Sequence, residues 1–198
     1  MPTAAIDATG LRRLDRDHCW HPLFQHSQLD SSTELTVFDR GEGCTLYDAD
    51  GQAYLDAGGG LWNVNVGYGR HEIADAALEQ MLKITYFPQG TTTVPTIKLA
   101  EKLAEITPGS LSRSFLNCGG SEANETALKI TRAYHKRMGE PGRYKIISRK
   151  GSYHGATAGV MWMGAPSNVS DYEPAIPGML YAPQPNPLRC ELSGETPS

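Results

Sequence analysis

Long apolar runs are missing from this chain of 198 residues, and no stretch approaches the ~20 residues that a bilayer-spanning helix needs. An excess of either charge is missing too. Eighteen lysines and arginines stand against 22 aspartates and glutamates, a net charge of −4, so neither nucleic acid nor an acidic membrane surface is an expected partner. The four cysteines, Cys19, Cys44, Cys118 and Cys190, are scattered without a Cys-x-x-Cys pair, which argues for a reduced, cytoplasmic setting. The six histidines show no metal-ligand spacing. Near the N-terminus Asp7, Asp15 and Asp17 lie among arginines with no apolar segment of the kind a secretory signal carries. Formal glycosylation sequons begin at Asn124 and Asn168; the first falls within a predicted helix, and both are discounted. Internal repeats and low-complexity tracts are also absent.

What remains is an ordinary globular composition, 39% hydrophobic and 20% charged, long enough to bury a sizeable core. Residues 1–35 are polar and irregular apart from a short predicted helix over Ala8–Asp15. Cys44–Asp48 and Gln52–Asp56 flank Ala49-Asp50-Gly51, and two short strands around Asp-Gly predict a hairpin, because the turn needs positive φ. The segment Gly58–Gly69 has too many glycines for a regular element and too many apolar residues for a linker. Helices are predicted over His71–Ile84, with Ile73, Ala77, Met81 and Ile84 on a core face, and over Thr96–Thr107, with Ile97, Ala100, Leu103 and Ala104 inward. Pro95 suits the start of the second and Pro108-Gly109 stops it.

The densest signal is Asn117-Cys118-Gly119-Gly120-Ser121-Glu122-Ala123-Asn124-Glu125. A strand-like run, 113–117, enters it, and seventeen residues with few breakers, Glu122–Met138, leave it. Ala123, Ala127, Ile130, Tyr134 and Met138 recur there at helical spacing as a core face. A turn of this kind leaves unpaired N–H groups at the positive end of a helix, which suits a phosphate. Gly119 and Gly120 allow close approach, and Ser121 adds a hydroxyl. Tyr144–Ser148 reads as a buried strand, so 113–117, 122–138 and 144–148 predict a βαβ unit with parallel strands and a right-handed crossover. The loops after both strands then share one sheet edge, where α/β proteins bind ligands. One holds Ser121; the other is Lys150-Gly151-Ser152-Tyr153-His154-Gly155. A nucleotide-hydrolysing P-loop would need Gly-Lys-Ser/Thr at the helix start, and the Gly-x-Gly-x-x-Gly fingerprint is absent, so a monophosphate fits better.

Gly119–Lys129 resembles the cofactor-phosphate motif of class III (omega) aminotransferases, which use pyridoxal 5′-phosphate. Leu61–Gly69 and Ser152–Gly155 match two further motifs of that family, in order and at plausible separations, and the resemblance runs from about His18 onward. It implies an α/β fold of the fold-type I class, a mainly parallel sheet with helices on both faces. Residues 1–68 would belong to the small domain and 69–198 to the first part of the large, cofactor-binding domain. Gly119, Gly120 and Ser121 would hold the cofactor phosphate, Tyr153 would stack on its ring, and Trp62 would line the substrate pocket. Many members carry Ser where this chain has Gly119, which removes a hydroxyl and keeps the backbone donors. Plainer readings stand beside these: Tyr153 as a half-buried structural aromatic, Trp62 as core filler, Ser121 as an N-cap. His154 is given no role, and Cys118 is expected to be a small packed residue.

The resemblance also marks what the chain lacks. The family's Schiff-base lysine and the carboxylate against the pyridine nitrogen lie in a later part with no counterpart here. Lys83, Lys98, Lys102, Lys129, Lys136, Lys145 and Lys150 match no catalytic position. The proline-rich connection 181–187 and the helix start at Thr196-Pro197 support an N-terminal piece of a longer enzyme. That enzyme is expected to be a homodimeric amine or ω-amino acid:2-oxo acid aminotransferase using an acceptor such as pyruvate, with ping-pong kinetics. An aminomutase, a decarboxylase, or a non-catalytic phosphate-binding or interaction module are the alternatives.

Overall fold

The computed structural model describes residues 7–22, 25–28, 35–88, 90–164 and 170–186. Cys190, Asn168 and the helix start at Thr196-Pro197 lie outside them. The chain divides into two compact units, Met1–Thr91 and Thr92–Ser198.

In the first unit, helix α1 spans Ala8–His18, three residues longer than predicted, with Asp7 as its N-cap: Asp7 Oδ1 accepts the Gly10 N–H at 2.9 Å. Strands β1 (Phe38–Glu42), β2 (Thr45–Asp48) and β3 (Ala53–Leu55) form an antiparallel sheet in that order. The predicted hairpin is β2–β3, in register Thr45 with Leu55, Leu46 with Tyr54 and Tyr47 with Ala53, and Gly51 supplies the positive φ of its turn (84°). β1 has no precedent in the sequence reading.

Asp48 ties the hairpin together. Its carboxylate is buried and accepts the N–H groups of Asp50 (3.0 Å) and Gln52 (2.8 Å) and the Tyr54 hydroxyl (2.9 Å). Burial pushes the Asp48 carboxyl up, but these donors and the nearby Arg12 guanidinium outweigh it, and the net shift is downward. A carboxyl with a depressed folded pKa contributes stability above its unfolded pKa and loses it as pH falls through the folded one. Asp48→Asn is therefore expected to lower the thermal midpoint near neutral pH and to flatten its fall in acid. Melting curves from pH 7 to pH 3 check this.

The apolar segment that follows contains a single turn, α2 (Gly59–Trp62), and then helix α3 spans His71–Lys83. In the second unit, helix α4 spans Val94–Ile106, two residues earlier than predicted, with Pro95 in its first turn. Helix α5 spans Gly120–Arg137 with Gly119 as N-cap, and strands β4 (Ile146–Arg149) and β5 (Met179–Ala182) pair in parallel. Among the described residues no helix is long and apolar enough to cross a membrane.

Three expectations are corrected. Residues 113–117 form no strand, because a strand exists only through its ladder and none of the described residues pairs with them. The partner of β4 is β5 instead, and β4 starts at Ile146 because the turn before β5 dictates the register. Gly178 O accepts the Ile146 N–H at 2.8 Å, and a Cβ on Gly178 would lie 2.7 Å from the Tyr144 ring. That strand is not buried on both faces, since Ile147 is 71% exposed. Finally, the α3 and α5 faces read as core lie open, with Ile73, Met81 and Ile84, and Ile130, Tyr134 and Met138 exposed, whereas on α4 Ile97 is exposed and Ala100, Leu103 and Ala104 are half-buried. An amphipathic stripe demands cover but does not provide it.

The face of α5 that is covered is a different one. Ser121, Asn124, Glu125, Leu128, Arg132 and His135 are the less exposed positions at helical spacing. At 100° per residue their centre lies about 130° around the axis from that of the Ala123 stripe, with buried Thr126 outside both. Leu128 packs in a small core with Val160, which is fully buried, and Trp162, both on a short 3₁₀ turn, Val160–Met163. The tightest packing of this unit thus sits under the N-terminal half of α5.

Candidate functional site

The glycine turn and the tyrosine–histidine loop meet, as expected from the sequence, but side-chain hydrogen bonds rather than a shared pair of strands bring them together. Ser121 Oγ accepts the Ala156 N–H at 3.1 Å, and Asn124 Nδ2 donates to His154 O at 2.7 Å. Glu125 is the main tie. One of its carboxylate oxygens accepts the Thr157 hydroxyl (2.7 Å) and the N–H groups of Gly159 (2.9 Å) and Val160 (3.2 Å). The Thr157 hydroxyl bond holds the Glu125 carboxyl below its usual range; burial opposes this, and the two N–H donors and Lys129 add to it. Thr126 Oγ1 donates to Asn117 Oδ1 at 3.2 Å and so fastens the incoming segment to the same helix.

Gly155 is the close contact. Its φ is +136°, and a Cβ there would lie 2.7 Å from Ser121 Oγ and 2.9 Å from Ser121 Cα. Here a glycine is required by both conformation and space.

At the mouth of α5 the geometry differs. Gly119 is extended (φ −160°), so it is not needed for positive φ. No side chain caps the helix, and a Cβ on Gly120 would meet nothing within 4 Å. The first-turn N–H groups thus lie without a side-chain cap among the described residues, beside open space at Gly120, at the positive end of an 18-residue helix. Ser121 is not the N-cap; it sits in the first turn. Because its oxygen already accepts the Ala156 N–H, its own hydroxyl proton is available to a ligand. Tyr153 is 77% exposed, so its ring faces are open and it is not a half-buried structural aromatic. Cys118 is exposed rather than packed.

Trp62 belongs to the first unit and is also 77% exposed, not core filler. Its backbone is unusual. Gly59, Gly60, Leu61 and Trp62 all take positive φ (55°, 59°, 54° and 68°), while the Trp62 N–H donates to Gly58 O at 3.0 Å. The α2 turn is thus left-handed. For L-residues this conformation costs roughly 1–2 kcal/mol each, a cost that falls on Leu61 and Trp62. Asp56 offsets it by accepting the N–H groups of Gly58 (3.1 Å) and Gly60 (2.7 Å) and the Tyr68 hydroxyl (2.7 Å). The Tyr68 hydroxyl and these N–H groups hold the Asp56 carboxyl low, and the Asp56 carboxylate in turn pushes the Tyr68 hydroxyl up.

Sequence reasoning missed Glu125, Asn124, Thr157, Asp56 and Tyr68. A signal existed for two of them: Asn124 and Glu125 follow Ser121 at helical spacing and share its face.

Residues 27–197 match the family model described as Aminotransferase class-III. The chain is 44% identical over 181 residues to an uncharacterised aminotransferase of Bacillus subtilis, covering 91% of this chain and 39% of that protein. It is 42% identical over 179 residues to a taurine–pyruvate aminotransferase of Bilophila wadsworthia, covering 89% and 38%. Among solved structures, a thermostable (S)-enantioselective omega-transaminase from Thermomicrobium roseum superposes with a TM-score of 0.89 at 40% identity, over 94% of this chain and 42% of that one. An omega transaminase of Pseudomonas jessenii in complex with PMP gives 0.86 at 30% identity, over 93% and 41%. The chain spans about two fifths of the length of the curated relatives it matches.

Proposed function

Because this chain belongs to the class-III aminotransferases, we propose that the whole protein is a pyridoxal 5′-phosphate enzyme that moves an amino group from an amine or ω-amino acid to a 2-oxo acid such as pyruvate. One observation carries the reading: an uncapped helix N-terminus beside a serine whose oxygen is already engaged and whose proton is not. The fit to the cofactor rests on the same place. Open space beside Gly120 leaves room for a phosphate, with the Glu122 carboxylate 4.0 Å from the place of a Cβ on Gly119, and the first-turn N–H groups with the Ser121 hydroxyl supply its donors.

When bound, the cofactor supplies the electron sink that makes amino transfer possible. The residues of this chain do the holding. Gly119, Gly120 and Ser121 receive the phosphate, Tyr153 offers an open ring face to the pyridine, and Trp62 lines the donor pocket. Glu125 keeps the Tyr153 loop against the phosphate cradle through Thr157, Gly159 and Val160. Residues 1–68 form part of the small domain and 69–198 the first part of the large one. The exposed apolar faces of α3, α4 and α5 suit burial against further chain and against the second subunit of a cytoplasmic homodimer. Taurine–pyruvate and putrescine–pyruvate aminotransferases among the relatives favour an amine donor and pyruvate as acceptor.

Ser121→Ala is expected to weaken binding of pyridoxamine 5′-phosphate by about 1 kcal/mol or more, roughly fivefold, as for a lost charge-assisted hydrogen bond. Calorimetric titration reads this, and unchanged affinity contradicts the cradle. None of the seven lysines of this chain is assigned the catalytic role. Borohydride treatment of the chain with pyridoxal phosphate is expected to label only solvent-facing lysines, without amino transfer. A single trapped lysine accompanied by turnover would overturn that assignment.

A further inference from the structure

We propose that Asp56 and Tyr68 are positioning residues for the donor pocket: together they hold Gly59–Trp62 in its left-handed turn and so set the direction of the Trp62 indole. The proposal rests on the reading of Trp62 as a pocket residue.

The Trp62 side chain is 77% exposed, so burial does not orient it. The direction in which its Cα–Cβ bond leaves the chain follows from its backbone, and that backbone is one that leucine and tryptophan avoid when free to choose. Something must hold it, and the structure assigns the task to Asp56. One carboxylate oxygen accepts the Gly58 N–H, while the other takes the Gly60 N–H and the Tyr68 hydroxyl at 2.7 Å each. Tyr68 is itself firmly mounted on the sheet. Its N–H donates to Gly43 O at 2.8 Å, and its carbonyl accepts the Gly43 N–H at 3.2 Å. A Cβ on Gly41 would lie 2.6 Å from its ring, so β1 approaches the ring as closely as a glycine permits. The turn also leans on this support: a Cβ on Gly60 would stand 3.1 Å from the Tyr68 hydroxyl and 2.5 Å from Val64 Cγ2. Sheet, tyrosine, carboxylate and turn thus form a continuous chain of contacts ending at the backbone turn that carries Trp62. Such strain held by surrounding structure is typical of groups whose direction matters to a ligand.

If the clamp served stability alone, its loss would change melting behaviour without acting through Trp62. The test separates these. The full 198-residue chain is labelled with 5-fluorotryptophan at its three tryptophans, Trp20, Trp62 and Trp162, and the Trp62 resonance is identified with Trp62→Phe. Tyr68→Phe removes the hydroxyl and keeps the ring; Asp56→Asn acts from the other end of the clamp. Both are expected to shift and broaden the Trp62 ¹⁹F resonance while those of Trp20 and Trp162 stay in place, which also reports a retained fold. An unmoved Trp62 resonance in both variants overturns the clamp.

In the holoenzyme, Tyr68→Phe is expected to raise the donor KM several-fold, and to have no such effect in a Trp62→Ala background. An equal rise in both backgrounds overturns action through Trp62. If Trp62→Ala alone leaves donor KM unaltered, the pocket reading of Trp62 fails and the positioning role fails with it, while the fluorine spectra still decide the clamp itself.

Discussion

Gly155→Ala is expected to reduce cofactor-phosphate affinity by about a hundredfold. The added methyl would lie 2.5 Å from Val160 Cγ2, 2.7 Å from Ser121 Oγ and 2.9 Å from Ser121 Cα. The last of these is helix backbone, and Val160 is fully buried, so neither can yield by a side-chain rotation. Overpacking of this kind costs about 1–3 kcal/mol, and the φ of +136° adds conformational strain on top. A total near ~3 kcal/mol corresponds to roughly two orders of magnitude in an equilibrium constant. The loop can escape only by leaving Ser121, which carries the Ala156 N–H and Tyr153 away from the cradle. Titration of pyridoxamine 5′-phosphate into wild type and variant measures the ratio. Gly159→Ala is expected to act on the same tie from its other side, because its methyl would meet the Glu125 carboxylate at 2.5 Å and could be housed only by moving the oxygen that holds Thr157, Gly159 and Val160.

Glu125→Ala should be nearly as damaging and should show a distinct pH signature. The substitution strands three donors, the Thr157 hydroxyl and the N–H groups of Gly159 and Val160. Hydrogen bonds to a charged, partly buried acceptor contribute about 1.5–3 kcal/mol, and these three share one oxygen, so a loss of roughly 3 kcal/mol is expected rather than three separate terms. The wild-type carboxyl has a depressed folded pKa. Its contribution is therefore complete above the unfolded carboxylate pKa and disappears as pH falls through the folded value. The gap in thermal midpoint between wild type and Glu125→Ala is expected to be widest near neutral pH and to narrow in acid. A gap independent of pH would mean that the charge of Glu125 is not what holds the loop.

These two residues also mark how far the sequence could be read. The β2–β3 hairpin was legible because its signals are local: two short strand-like runs around Asp50-Gly51, with the chemistry of the turn inside the turn. Helix α5 was legible from the glycines before it and from the breaker-poor, helically spaced run Glu122–Met138. The pairing of β4 was not. Ile146 bonds to the turn before Met179, and nothing in either short apolar run states which strand it joins. The meeting of the glycine turn with the Tyr153 loop was legible as composition and position, since Gly119, Gly120 and Ser121 fall at a helix mouth and Tyr153 on the loop docked against it. What holds them was not, because Glu125 reads as one of many helical glutamates until Thr157 and two N–H groups are seen to converge on it. The left-handed turn at Leu61 and Trp62 ran against local preference altogether. Such a conformation is imposed by Asp56 and Tyr68 from outside the turn, so the residues that adopt it give no hint of it.

The central claim is that the N-terminus of α5 receives the phosphate of the cofactor. Amide NMR of the ¹⁵N-labelled chain, titrated with pyridoxamine 5′-phosphate, tests it most directly, because this form carries no aldehyde to condense with surface lysines. The N–H resonances of Gly120, Ser121 and Glu122 are expected to move in a saturable way, and pyridoxamine without its phosphate is expected to leave them in place. If those three amides stay still at saturation, or respond equally to the phosphate-free compound, the phosphate does not bind at this helix.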